Sequence, residues 1–336
     1  MTRLLAPAPA GPLAPRERPT LSVVIPYYRR ADVIAEAVRS ALEQTEPPHE
    51  IVICDDGSPD DLDGALGALR DRVTVVRRRN GGAAAALNTA VALATGEFVV
   101  QLDSDDVFLP RRLEAIADAI VARPDLDVVA TDAFVEQGGK VLWRFLEAVP
   151  FAVERQRLAV LRHCFFAWPA MRRSRFVAVG GFDERYRATS DWAGFIRLVL
   201  DGALVGMVDE PLYRWRLGAG SISAEGAFNA AEEIRLLQQV SATYELTPDE
   251  RRTIDEAVTG MRRRATLLRA KEAVADGGAA ARRHSLEVAL GPGFSPRTRA
   301  KAALAVASPG LARRALAGRF APGTAQRRFG VGVEAS

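Results

Sequence analysis

Gly96-Glu-Phe-Val-Val-Gln-Leu-Asp-Ser-Asp-Asp106 decides how this chain is read. Glu97–Leu102 is a short apolar run of the kind that forms a buried β-strand, and it ends in the acidic cluster Asp103-Ser104-Asp105-Asp106. Ala83–Ala94 just upstream has helical character, and Val73–Val76 before it reads as another strand. Further back, Glu50-Ile-Val-Ile-Cys54 is a strand followed by Asp55-Asp56-Gly57-Ser58. Leu21-Ser-Val-Val-Ile25 is the first strand, ended by Pro26 and followed by Tyr27-Tyr28-Arg29-Arg30. Asp32 then caps a helix in which Val33, Ile34, Ala37, Val38, Ala41 and Leu42 recur at helical spacing. Strands this apolar, alternating with helices, predict an α/β fold with a mostly parallel sheet covered on both faces.

In such sheets ligands bind beyond the carboxyl ends of the strands, so two acidic clusters sit on one rim. Crowded carboxylates repel unless a cation or hydrogen-bond donors offset their charge. A hard divalent ion held by one or two carboxylates and diphosphate oxygens meets that need. Each cluster alone has an ordinary explanation. Asp55-Asp56-Gly57-Ser58 is good turn chemistry, and Asp103–Asp106 could cap a helix starting near Pro110. Both at strand ends, about fifty residues apart, favour a ligand site.

The motifs together resemble the family 2 glycosyltransferases of GT-A fold. Ser22-Val-Val-Ile-Pro-Tyr-Tyr28, Ile53-Cys-Asp-Asp-Gly-Ser58 and Gly96–Asp106 fit in order and spacing. Asn80-Gly81-Gly82 with Ala86-Leu-Asn88, Gly180-Gly-Phe-Asp-Glu184, Ser190-Asp-Trp192, and Tyr213-Arg214 with Ser221-Ile-Ser223 extend the likeness over residues 20–223. The resemblance implies a Rossmann-like sheet flanked by helices and an inverting transfer of sugar from a nucleotide diphosphate donor, with a UDP-sugar as the expected donor. The acceptor hydroxyl would belong to a glycan, a lipid-linked molecule or a small molecule, in cell-surface polysaccharide or glycoconjugate synthesis. Position by position, it implies that Pro26, Tyr28, Asp55, Asp56 and Asn88 bind the nucleotide. Asp103 and Asp105 form the Asp-x-Asp motif and hold Mg²⁺ or Mn²⁺, with Asp103 also facing the ribose. Asp191 falls at the general-base position, and Trp192 packs beside it. The plain alternative for Asp191 is a helix N-cap before Trp192–Leu200.

Two positions depart from the family pattern. Ser190 stands where an acidic residue often precedes the base, and Arg216 stands where a histidine often lies near the metal. A guanidinium cannot ligate a metal but can grip a diphosphate bidentately, so Arg216 is expected there. Arg172 and Arg173 could meet phosphate or acceptor, although solvated charge is the simpler reading.

The chain has 336 residues, 48% hydrophobic and 26% charged, which suits a folded protein with a core. A net charge of +3 gives no reason to expect a nucleic-acid partner. The two cysteines, Cys54 and Cys164, form no Cys-x-x-Cys pair, and His49, His163 and His284 show no zinc-ligand spacing. Residues 1–19, rich in Pro and Ala, read as a disordered leader. No run of about eighteen apolar residues suggests a membrane span, so a cytoplasmic location is expected. From residue 224 the pattern becomes a helical, basic extension, with Thr247-Pro-Asp-Glu250 as a helix start and Gly291-Pro-Gly293 as a break. Between Ala289 and Arg328 there are eight Lys or Arg and no Asp or Glu. That stretch is either a solvated appendage or a peripheral contact with the inner face of an anionic membrane.

Other readings are a nucleotidyltransferase, a nucleotide-dependent oxidoreductase, or an inactive nucleotide-sugar-binding protein. Pro26-Tyr-Tyr-Arg-Arg30 replaces the glycine-rich turn a dehydrogenase needs, and no phosphate-binding loop of P-loop type occurs.

Overall fold

The computed structural model describes residues 3–218, 226–276 and 280–317. The chain divides into two compact units, residues 1–160 with 164–219 and residues 161–163 with 220–336.

The described residues of the first unit form β1 (Leu4–Leu5), β2 (Leu21–Tyr27), β3 (Glu50–Asp55), β4 (Thr74–Arg77) and β5 (Phe98–Gln101). They continue with β6 (Val107–Phe108), β7 (Val128–Gln137), β8 (Lys140–Arg144), β9 (Ala170–Arg172) and β10 (Val205–Arg216). The sheet runs β1-β10-β7-β9-β5-β2-β3-β4, with β6 on β10 and β8 on β7. The strands β2, β3, β4 and β5 are mutually parallel. Because β9 pairs antiparallel with both β5 and β7, β7 and its parallel partner β10 point the same way as β5. The sheet is therefore mostly parallel, as the alternating pattern predicts.

Val23, Val24, Ile25, Val52, Ile53, Val99 and Val100 are fully buried, because helices pack on both faces and leave no polar side for alternation. Helix Ile34–Leu42 buries Ile34, Ala37, Val38 and Ala41, and helix Ala83–Leu93 buries Ala84, Ala85, Ala86, Leu87, Ala90 and Val91. Register fixes the rim. Tyr27 pairs with Asp55 and Val24 with Gln101, so the loops after β2, β3 and β5 emerge side by side.

The N-terminal segment corrects the expectation of a disordered leader. Leu4 and Leu5 pair with Val208 and Met207 on the edge of β10, and Asp209 N donates to Arg3 O over 2.9 Å. Arg123 Nη1 donates to Pro7 O over 2.7 Å, and Arg16 pairs with Glu97. A two-residue strand has no periodicity to read, and its partner lies some two hundred residues away.

In the second unit, helices cover Gly226–Thr243, Pro248–Asp276, Ala280–Leu290, Pro296–Ala307 and Pro309–Ala317. At the start of Pro248–Asp276, Thr247 and Glu250 form a reciprocal capping box over 2.9 and 3.2 Å. Helix Ala280–Leu290 stops at the glycine–proline break. Val274, Ala281, Ala305 and Ala312 share a small core. Among the described residues no helix is long and apolar enough to cross a membrane.

Candidate functional site

The loop after β5 turns at Asp103–Asp106, where Asp106 N bonds back to Asp103 O over 3.1 Å. The turn sends the three carboxylates in different directions. Asp103 is half-buried: Trp168 Nε1 donates to its Oδ2 over 3.0 Å and Gln101 Nε2 to its Oδ1 over 3.1 Å. Burial pushes its pKa up to about 6, and the negative charges of Asp105 and Asp191 add to that rise. Asp105 reaches the surface, where Arg30 Nε lies 3.1 Å from its Oδ2. Asp106 points inward and is 2% exposed. It accepts from Tyr213 Oη over 2.8 Å and from Arg216 N over 2.8 Å. Burial lifts its pKa well above the carboxylate range, and the charge of Asp103 adds to it.

A buried aromatic layer backs these carboxylates. Trp168 stacks on Tyr213 with centroids 4.6 Å apart and planes 14° from parallel. Tyr213 Oη also accepts from Asp103 N over 3.2 Å, so one hydroxyl bridges both ends of the acidic turn. Arg112 is completely buried, with its guanidinium 4.8 Å from the ring centroids of Phe108 and Tyr213. It donates to Thr131 Oγ1 and to Trp168 O. Burial lowers its pKa to about 10, which still leaves it charged at neutral pH.

Asp191 lies in the first turn of helix Ser190–Leu200, after the N-cap position at Thr189. Its Oδ1 accepts from Trp192 N over 2.7 Å. The side chain reaches solvent, but protein atoms crowd around it and strip water, which raises its pKa above the ordinary value. Its charge acts on Asp103, so the two carboxylates share one electrostatic neighbourhood. Trp192 is buried and donates from Nε1 to Val160 O over 2.8 Å, fixing that end of the helix.

At the neighbouring strand ends, Pro26 is half-buried and Tyr28 is 40% exposed with the Arg29 guanidinium 5.2 Å from its ring centroid. Asp55 accepts from Ser58 N over 2.8 Å and lies 3.4 Å from Arg77. Asp56 is 2% exposed and accepts from Gly81 N at 3.0 Å and Gly82 N at 2.6 Å, with Arg78 at 3.3 Å. Asp56 thus ties the β3 loop to the segment before helix Ala83–Leu93 instead of lying open. Gly57 is needed there: its φ is +69°, and a Cβ would come within 3.0 Å of Asn80 N.

Two expected nucleotide contacts are engaged elsewhere. Asn88 Nδ2 donates to Phe182 O and to Glu184 Oε1 over 3.0 and 2.9 Å, while its Oδ1 accepts from Phe182 N over 2.9 Å. It holds the Gly181–Phe182 turn. Arg216 forms a bidentate pair with Glu36 at 2.7 and 2.5 Å, which holds the Glu36 carboxyl below its usual range. Neither partner could be foreseen, because each lies some ninety or more residues away in sequence. Arg172 pairs with Glu97 and Asp127 at 2.6 and 2.9 Å, so it too is committed structurally. The closing segment Ser221–Ser223 lies outside the described residues.

Sequence reading missed the roles of Asp106, Trp168, Arg112 and Arg30. The run Phe165-Phe-Ala-Trp-Pro169 signalled burial, but nothing in it signalled a bond to Asp103.

This fold, with acidic loops gathered at the carboxyl rim of a mostly parallel sheet, is of the GT-A type. Residues 22–179, just under half of the chain, match the family model described as Glycosyl transferase family 2. The chondroitin synthase of Pasteurella multocida is 31% identical over 184 residues, 54% of this chain and 19% of that protein. The succinoglycan biosynthesis protein ExoO of Rhizobium meliloti is 30% identical over 224 residues, 61% of this chain and 63% of that protein. The chain thus spans under two thirds of either relative. Among solved structures, Staphylococcus aureus TarS 1–349 with UDP superposes with a TM-score of 0.58 at 18% identity, covering 84% of this chain and 80% of that one. The complex with UDP-GlcNAc gives 0.59 at 19% identity, with 80% of each chain covered.

Proposed function

We propose that this chain is an inverting glycosyltransferase that moves a sugar from a nucleotide diphosphate donor to an acceptor hydroxyl in polysaccharide or glycoconjugate synthesis. The observation that carries the reading is the half-buried Asp103 carboxylate, held by Trp168 and Gln101 at the turn that also carries Asp105, with the charges of Asp105 and Asp191 acting on it. TarS, solved with UDP and with UDP-GlcNAc, supports a UDP-sugar donor. The relatives in chondroitin and succinoglycan synthesis support a glycan or lipid-linked acceptor.

Pro26 and Tyr28 form the wall against which the nucleoside packs, Asp55 and Asp56 reach it only by giving up their bonds to Ser58 and to the Gly81 and Gly82 amides, and Asp103 faces the ribose. The residues fit a hard divalent cation: carboxylate oxygens are its preferred ligands, and burial raises Asp103 with added repulsion from Asp105 and Asp191 that a cation would offset. Asp103 and Asp105 would hold Mg²⁺ or Mn²⁺; among the described residues no cluster of three or more Asp, Glu, His or Cys forms. When bound, the ion supplies Lewis-acid stabilisation of the departing diphosphate. Asp191 takes the proton of the attacking acceptor hydroxyl. Its raised pKa suits that task, since a general base works best when its pKa lies nearer the working pH. Attack opposite the diphosphate inverts the anomeric carbon in one displacement and needs no protein nucleophile. Arg216 meets the diphosphate only by leaving Glu36, and unchanged donor affinity in Arg216→Ala would remove it from the site.

The helices Pro296–Ala307 and Pro309–Ala317 expose Leu304 and Leu311 among Arg297, Arg299, Lys301 and Arg313, which supports a peripheral contact with an anionic bilayer at its cytoplasmic face. Liposome flotation of the full chain against one ending near residue 285 tests it, and equal binding excludes it. For the central reading, sugar-nucleotide hydrolysis with Mn²⁺ is compared between wild type and Asp105→Ala. An inactive binder retains donor without turnover.

A further inference from the structure

Arg30 is held at a place where its side chain must cross from the β2 loop to the β5 loop. Arg29 adopts a left-handed backbone conformation, φ 53°, and its N–H donates to Ser58 Oγ over 2.9 Å. The carbonyl of Arg30 accepts from Val33 N and Ile34 N over 3.1 and 3.0 Å, at the start of helix Ile34–Leu42. With its backbone anchored on both sides, Arg30 reaches Asp105 through Nε alone, 3.1 Å from Oδ2. Both side chains are about a third exposed, at 37% and 36%. Arg216, by contrast, grips Glu36 with two nitrogens.

We propose that Arg30 is a partner-switching residue: in the donor-free enzyme it occupies Asp105, and on donor binding it passes to the diphosphate and leaves Asp105 to the cation. The inference rests on the donor-site reading above. The Arg30 guanidinium lies on Asp105 Oδ2, and its positive charge repels a divalent ion approaching the same carboxylate. A metal ion arriving alone binds against that charge or displaces Arg30 and leaves it without this partner. A metal–diphosphate complex brings both replacements, a cation for Asp105 and an anion that a guanidinium grips bidentately. The exposed single-point pair is weak and cheap to release. A diphosphate contact by a guanidinium is stronger. Metal and nucleotide consequently bind with positive coupling, and each raises the affinity of the other by the same factor.

The test is Mn²⁺ binding by electron paramagnetic resonance on the full chain, with and without UDP, in wild type, Arg30→Gln and Arg30→Lys. Wild type binds Mn²⁺ weakly alone and more tightly with UDP. Arg30→Gln binds Mn²⁺ alone about two- to five-fold more tightly, the range of a released surface pair. The same variant binds UDP with Mn²⁺ about tenfold more weakly, the loss of one charge-assisted contact. Arg30→Lys, which keeps the charge without the fork, falls between. Unchanged affinities in Arg30→Gln, or a loss of Mn²⁺ affinity equal with and without UDP, would overturn the switch while leaving the donor site intact. Absence of Mn²⁺ binding to wild type with UDP present overturns the switch and the donor-site reading together.

Discussion

Trp168 Nε1 donates to Asp103 Oδ2 over 3.0 Å while the same indole stacks on Tyr213, whose hydroxyl accepts from Asp103 N. Asp103 is therefore oriented by two rings that are themselves in contact. Trp168 has a positive φ of 45°, an unfavourable conformation for a bulky residue, held here by its stacking and by Arg112 donating to its carbonyl.

Trp168→Phe keeps the ring and removes the N–H. The lost bond should weaken Mn²⁺-dependent donor binding by about 1 kcal/mol, roughly fivefold. Titration calorimetry with UDP and Mn²⁺ reads this, and Trp168→Phe should melt close to wild type because most of the stacking surface remains.

Arg112 is buried without a carboxylate beside it among its hydrogen-bond partners, Thr131 Oγ1 and Trp168 O. Arg112→Met leaves the Trp168 carbonyl unsatisfied and removes the cation from between Phe108 and Tyr213. A loss of about 1–3 kcal/mol in chemical denaturation is expected. Equal stability would mean that hydrophobic replacement of the buried charge offsets the lost bonds.

Gly181 has φ +64°, and a Cβ there would lie 2.5 Å from Asn88 Oδ1. Gly181→Ala should cost about 1–3 kcal/mol through strain and displacement of Asn88. Asn88→Ala should cost a similar amount, because Phe182 N and Phe182 O lose their partner. The double variant should cost less than the sum, since both changes break the same turn.

Asp191 supplies the pH dependence. Its pKa is raised in the fold, so its protonated form is favoured there and its contribution to stability is full at pH below its unfolded value. That contribution is lost as pH rises through the raised value. Asp191→Asn should accordingly melt higher than wild type at neutral pH, with the difference shrinking toward pH 4. Activity runs the other way, because proton abstraction needs the carboxylate. The acid limb of the kcat profile should lie above the ordinary aspartate pKa of about 3.9 and vanish in the variant, as pH-resolved initial rates will read.

The apolar strands β2, β3 and β5 and the helices between them are legible from local pattern, because strands buried on both faces advertise themselves as Val and Ile runs. The Thr247–Glu250 cap and the stop at Gly291 are local signals as well. The acidic residues at the rim follow from strand direction alone. What local sequence does not encode is which partner each polar group finds across the sheet. Asp56 takes the Gly81 and Gly82 amides, Asn88 the Phe182 turn, Arg216 Glu36, and Leu4–Leu5 the open edge of β10. Each is a long-range contact settled by tertiary packing. Arg112 is the clearest case, since an arginine in a helix pattern reads as solvated and here is 0% exposed.

The most direct measurement is Mn²⁺-dependent release of UDP from a panel of UDP-sugars, with donor binding followed calorimetrically in the same samples. Wild type should release UDP, Asp105→Ala should lose both binding and release, and Asp191→Asn should retain binding with release reduced about 100-fold or more. Release at the wild-type rate in both variants would contradict these roles for Asp105 and Asp191.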